Sequence, residues 1–172
     1  MEYSEYLSSV QANFTEEENV IINGCDVKMF RETKFKMKWL ATKLKMFSFI
    51  THFDNVTLND ISQYSDACMK YSLNAYKGFP RGLQNGVVCF GLIASENVDA
   101  DAAAFAKMRP KKHFAAFEMP IIFDLSDSSI HYFEKTPMLG AIYYKFIREY
   151  IEKNFSVLRD TESAAADQPR SE

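Results

Sequence analysis

The chain has 172 residues, of which 47% are hydrophobic and 25% charged, the ordinary mix of a single globular domain. A net charge of −3 and a pI near 5.7 exclude a surface that is basic throughout, so nucleic acid is a disfavoured partner unless a local patch recruits it. The longest uncharged apolar run, Gly86 to Ala94, is strand-sized and far short of the roughly 20 residues that cross a bilayer, which argues against membrane insertion.

With 15 Phe and 9 Tyr, the chain can build a dense core without disulfide or metal staples. Cys25, Cys68 and Cys89 are odd in number, widely spaced and free of any CxxC pair, so they read as three reduced thiols. The opening Met1-Glu2-Tyr3-Ser4-Glu5 is acidic and lacks the cationic start and apolar stretch of a secretory signal, so a cytoplasmic location is the expectation.

Tyr3, Tyr6, Leu7, Val10 and Phe14 recur at helical spacing and predict a short amphipathic helix that ends before Glu16-Glu17-Glu18. From 28 to 40 and from 43 to 53 two strands are expected, because Lys34, Lys36 and Lys38 alternate with Phe35, Met37 and Trp39; Met37, Leu40, Leu44 and Phe47 fit a helix as the alternative. Thr57 followed three residues on by Asp60 resembles a capping box, and Ile61, Tyr64, Cys68, Tyr71 and Ala75 continue it as a helix over Leu58 to Lys77, closed by Gly78.

After a loop marked by Pro80, Gly82 and Gly86, residues 87–94 run apolar without alternation, as a central strand covered on both faces does. Asp99 can cap a short helix over 100–108, and Pro110 ends it before a strand begins near His113. Residues 114–125 and 129–135, flanking Ser126-Asp127-Ser128, read as a hairpin. Thr136 as cap, Pro137 at the first turn, and Leu139, Ile142, Tyr143, Phe146, Ile147 and Tyr150 on one face predict a final helix to about Asn154. The fold class is therefore α+β: a mixed sheet of about five strands with helices packed on it, one domain over 1–155, then a disordered polar tail over 156–172.

A turn centred on Asp127-Ser128 would set Leu125 opposite Ile130 and Asp124 opposite His131. Asp124 and His131 are then candidates for an acid–base pair, with a cross-strand pair on a wet face as the plainer reading. Glu118 lies in an apolar stretch where burial could make it a proton carrier, and in the same register Lys135 is its diagonal salt-bridge partner. Glu118, Asp124 and Glu134-Lys135 faintly resemble the acidic core of a metal-dependent nuclease, but Glu134 and Lys135 are consecutive and face opposite ways, so the pattern fails.

Two basic clusters stand out. Lys34, Lys36, Lys38, Lys43 and Lys45, with Lys28 and Arg31, make a strip that an anionic partner could use and that also suits a guarded edge strand; no aromatic side chain shares its basic face. Lys107, Arg109, Lys111, Lys112 and His113 form the second, at a helix C-terminus where cations complement the dipole. Arg81, displayed between glycines in Gly78 to Gly86, is a candidate contact for a carboxylate or phosphate, although the loop is not a phosphate loop. The anion-binding candidates are thus Arg81, Lys111, Lys112, Lys36, Lys38 and Lys43.

Neither a metal nor a cofactor is expected, since Cys68 and Cys89 read as packing thiols and no closely spaced ligand pair occurs. The leading functional expectation is a non-catalytic binding or interaction module, its partner a protein or an anionic ligand. The alternatives are an enzyme using Asp124 and His131 and a nucleic-acid binder using the lysine strip.

Overall fold

The computed structural model describes residues 1–36, 42–82, 84–137 and 141–157. Helix α1 (Tyr3–Gln11) is followed by strands β1 (Glu17–Ile22), β2 (Cys25–Lys36), β3 (Thr42–His52) and β4 (Asn55–Val56), and then by α2 (Leu58–Ala75). Next come β5 (Asn85–Ser95), β6 (Asn97–Val98), α3 (Ala100–Lys107), β7 (Lys112–His113), β8 (Ala116–Asp124), β9 (Ser129–His131) and α4 (Ala141–Phe155). The main sheet has seven strands in the order β1-β2-β3-β5-β8-β7, with β9 also on β8. β1, β2 and β3 form an antiparallel meander, while β3, β5 and β8 run parallel and are linked by α2 and α3. β4 and β6 make a separate two-residue parallel pair where the chain turns from strand to helix.

The molecule is an α+β fold with more strands than the five expected. One addition is β1, whose Glu17 and Glu18 are tied across the strand pair to Lys28 and Arg31. An acidic run was read as an interruption because its cationic partners lie on the next strand rather than nearby in sequence. The other addition to the main sheet is β7, two residues long and invisible to any period. Residues 37–41, where the choice between strand and helix was hardest, and the lysine strip's Lys38 lie outside the described residues.

β5 shows why a central parallel strand reads as an unbroken apolar run. Its Val88, Phe90, Leu92 and Ala94 enter a core with Tyr6 and Val10 of α1 and Phe146, Ile147, Tyr150, Ile151 and Phe155 of α4. Val87, Cys89 and Ile93 enter a second core with Ile61, Tyr64, Cys68 and Met69 of α2 and Ala102 and Ala106 of α3. With helices on both faces, water meets neither, and alternation disappears. α2 packs directly on Gly91: a Cβ there would make ordinary contact, 3.6 Å from the Ser65 Cα and 3.7 Å from the Cys68 Sγ.

α2 begins at a complete capping box: Thr57 accepts from the Asp60 N–H, and the Asp60 carboxylate accepts from the Thr57 N–H. Asp99 precedes α3 without a side-chain cap bond, and Thr136 accepts from Arg148 of α4. Residues 138–140, where the last helix was expected to start, and 158–172 of the expected tail lie outside the described residues.

The hairpin departs from expectation in register and in burial. Phe123, not Leu125, is opposite Ile130, so Asp124 faces Ser129 and His131 faces Ile122. β9 ends at His131, and residues 132–137 leave the ladder, so Lys135 is not a diagonal partner of Glu118. The face carrying Glu118 and Ile122 was expected to be wet, yet both are buried beneath α2 and α3. Because the shift is two residues, the separation of faces survived.

Candidate functional site

Glu118 is 4% exposed, and both its oxygens are engaged. Ser65 Oγ of α2 donates to Oε1 at 2.6 Å, and His113 Nε2 of β7 lies 2.6 Å from Oε2. The return from β7 to β8 places His113 opposite Ala116 through a two-residue turn, Phe114-Ala115, whose Ala115 has φ of 48°. Three elements are thereby pinned to one carboxylate. The order serine–carboxylate–imidazole does not make a nucleophile, because the hydroxyl proton goes to the carboxylate rather than to the ring that would have to remove it. Cys89, paired with Glu118 across β5 and β8, has its thiol pushed up to about 12, chiefly by burial, and burial raises Cys68 as well. Both are packing thiols rather than reactive ones.

Asp124 and His131 are not directly paired. Asp124 Oδ1 accepts from the backbone N–H and hydroxyl of Ser126, closing the turn, while His131 Nε2 lies 3.4 Å from Ser129 Oγ. The His131 Nδ1 is buried without a hydrogen-bond partner among the described residues. Burial first, then Lys107, holds this ring's pKa below 6.5 against the pull of Asp124, Asp127 and Glu134. Since the folded pKa is depressed, the unfolded chain takes up the proton more readily. The stabilising contribution is therefore fully present above about pH 6.5 and is lost as pH falls through the folded value. Replacing His131 by Asn should flatten that slope. Urea midpoints measured between about pH 7 and pH 5 should fall less in the variant than in the wild type; parallel curves would refute the assignment.

His52 stacks on Tyr3 with ring centroids 4.7 Å apart, and its Nε2 lies 2.8 Å from Glu96 Oε2. Asp54 joins them, the donor atoms all lying within 4.8 Å of one another at the carboxyl ends of β3 and β5. It is a surface imidazole–carboxylate contact with a neighbouring carboxylate.

The cations divide sharply by partner. Lys28, Arg31 and Lys34 pair with Glu17, Glu18 and Glu32, and Lys111 lies 2.5 Å from an Asp66 oxygen. Lys45 donates to the Lys77 carbonyl near the end of α2. Lys36 pairs with Thr42 along the backbone, and Phe35, expected on an apolar face, is 53% exposed. By contrast, Lys43, Lys70, Lys77, Arg81, Lys107, Arg109, Lys112, Lys135, Arg148 and Lys153 have no ion pair among the described residues.

Five of these, Arg81, Lys107, Arg109, Lys112 and Lys135, lie along the outer edge of β8. β7 covers the start of that edge and β9 its end, and Pro120, lacking an N–H, lies between them. The segment that enters β7 and the segment that leaves β9 enclose a groove of about 450 Å³ lined by Lys107, Met108, Arg109, Phe133, Lys135, Thr136 and Pro137. None of its described lining residues is acidic. Lys112 follows on β7, and Arg81 Nη1 donates to the Phe114 carbonyl at 3.1 Å at the turn into β8. A larger hollow near β2 and β3, about 570 Å³, is lined by Glu16 and Glu32 as well as Arg31, Lys45 and Lys77, so its charges offset one another.

Arg81 and His131 do not converge. Arg81 reaches Phe114 beside Ala116, whereas His131 is opposite Ile122, and six strand residues span roughly 20 Å. Arg81 and Lys112 share the basic edge, Lys111 is neutralised beside it, and Lys43, the second residue of β3, is opposite Asn85, two strands away. The sequence reading missed Lys135 as a partner of Lys107 and Arg109, because their meeting depends on where residues 132–137 go after leaving the ladder. No helix among the described residues is long and apolar enough to cross a membrane. No protein-family model, curated protein or solved structure matches this chain.

Proposed function

We infer that the protein is a non-catalytic binding module that holds an anionic partner along the basic edge of β8. The observation that carries this reading is the convergence of Lys107, Arg109 and Lys135, from segments nearly thirty positions apart in sequence, on one groove whose described lining has no carboxylate. Met108, 61% exposed, and Pro137 add apolar surface over the buried Phe133, so the groove combines charge with apolar contact. An acid–base enzyme reading loses its support with the Asp124–His131 pairing.

Inorganic polyphosphate, titrated at several salt concentrations, tests the reading. Wild-type affinity should fall steeply with salt, and Lys107→Glu/Arg109→Glu/Lys135→Glu should lower it by about tenfold or more. Reversing Lys28, Arg31 and Lys34 changes net charge equally but touches cations already paired, and should matter far less. Equal losses from the two triple variants would reduce the effect to net charge and overturn the assignment.

A further inference from the structure

We propose that the partner is a single-stranded nucleic acid, its phosphates following the basic edge and its bases stacking on Phe79 and Phe114; the inference rests on the anion-binding reading above. Phe79 is 81% exposed and Phe114 75%, the two most exposed large hydrophobic side chains among the described residues. Such rings held in water mark contact surfaces when they are arranged rather than incidental.

The two loops that carry them are fastened to each other. Arg81 Nη1 donates to the Phe114 carbonyl at 3.1 Å from one loop to the other, while within the first loop Tyr76 Oη donates to the Phe79 carbonyl at 2.7 Å and the Gly82 N–H to the Asn85 carbonyl at 2.9 Å. The Phe114 ring rests on Gly82: a Cβ at that position would be 2.6 Å from the ring's Cζ, and Gly82 has φ of +96°. Gln84 at φ of 58° and Ala115 at 48° put two further residues in the left-handed region within the same pair of loops. Left-handed non-glycine backbone persists where the surroundings impose it, commonly at ligand sites.

The aromatic loops also continue the basic edge. Phe114 is two residues from Lys112 and five from Arg109, and Phe79 is two from Arg81. Flat rings beside phosphate-binding cations are the combination that unpaired bases need, since every base has a face to stack while a duplex hides it. An acidic protein segment would use the cations and leave both rings idle.

The test is fluorescence anisotropy of the full chain with a labelled oligothymidylate of about ten nucleotides, with a duplex of equal length, polyphosphate and polyglutamate as the other ligands. The single strand should bind more tightly than duplex or polyglutamate. Phe79→Ala/Phe114→Ala should weaken the single strand about tenfold or more while leaving polyphosphate affinity unchanged. The groove triple reversal should weaken both ligands. Unchanged oligonucleotide affinity in the double alanine variant, or polyglutamate outcompeting the single strand, would overturn this inference and leave the anion site standing. Wild-type protein that binds no polyphosphate would sink both. Both rings are at the surface, so the double variant should unfold at the wild-type temperature, which separates lost binding from lost fold.

Discussion

Replacing Glu118 by alanine is expected to lower the unfolding free energy by about 3 kcal/mol, because it removes the shared acceptor of two groups and leaves them without a substitute. Ser65 Oγ and His113 Nε2 each lie 2.6 Å from a Glu118 oxygen, and Ser65 is itself buried, so water cannot readily replace the carboxylate there. The effect should be shared among α2, β7 and β8, since one side chain joins them. Glu118→Gln keeps the shape and one carbonyl acceptor, and should cost less. The informative control is Ser65→Ala/His113→Phe/Glu118→Leu. Removing every polar member together should recover much of the loss, as buried ionic groups replaced by apolar ones of similar volume often do. Urea denaturation followed by circular dichroism measures all three variants. A Glu118→Ala variant within about 0.5 kcal/mol of wild type would mean the site is hydrated and the pinning is illusory.

On the other face of the sheet, Phe90→Ala should cost about 3–5 kcal/mol. Phe90 is fully buried in β5, stacked on Tyr150 at 4.9 Å and tilted against Phe155 at 5.7 Å between ring centroids. Deleting it removes apolar burial and leaves a cavity that neither α4 nor the central strand can close without shifting its neighbours. Phe90→Leu keeps most of the volume and should cost less than about 1.5 kcal/mol. The midpoint in urea should fall with little change in slope. Against it, Phe79→Ala should stay within about 0.5 kcal/mol of wild type despite deleting the same ring. Equal destabilisation by the two substitutions would contradict the burial of one and the exposure of the other.

These two aromatic positions also show where local sequence was informative. Phe90 sits in an unbroken apolar run that is strand-sized and rich in β-branched residues, which fits a strand covered on both sides. Phe79 and Phe114 carry no comparable signature. Each adjoins basic residues, Arg81 in one case and Lys111-Lys112-His113 in the other, and that adjacency is the only sequence signal of the aromatic edge. The lysine strip at 28–45 was the louder charge signal, but three of its described members, Lys28, Arg31 and Lys34, are paired with acids on their own or the adjoining strand, and Lys45 is bonded to a backbone carbonyl. Counting charges along a chain cannot tell a paired lysine from an unpaired one.

By itself the sequence determined the elements whose physics is local: α2 through its capping box and stripe, β5 through its apolar run, α3 through the proline that ends it, and the inertness of Cys68 and Cys89 through their place on core faces. Tertiary structure decided what depends on partners far along the chain. It buried Glu118 by laying α2 over it and supplied His113 rather than Lys135 as its partner. It slid the hairpin by two residues, separating Asp124 from His131 while keeping the same faces inward. It also drew Lys135 to Lys107 and Arg109 across an edge that β7 and β9 leave open between them. Hydrophobic periodicity fixes which way a side chain points, but register and loop closure decide what it meets.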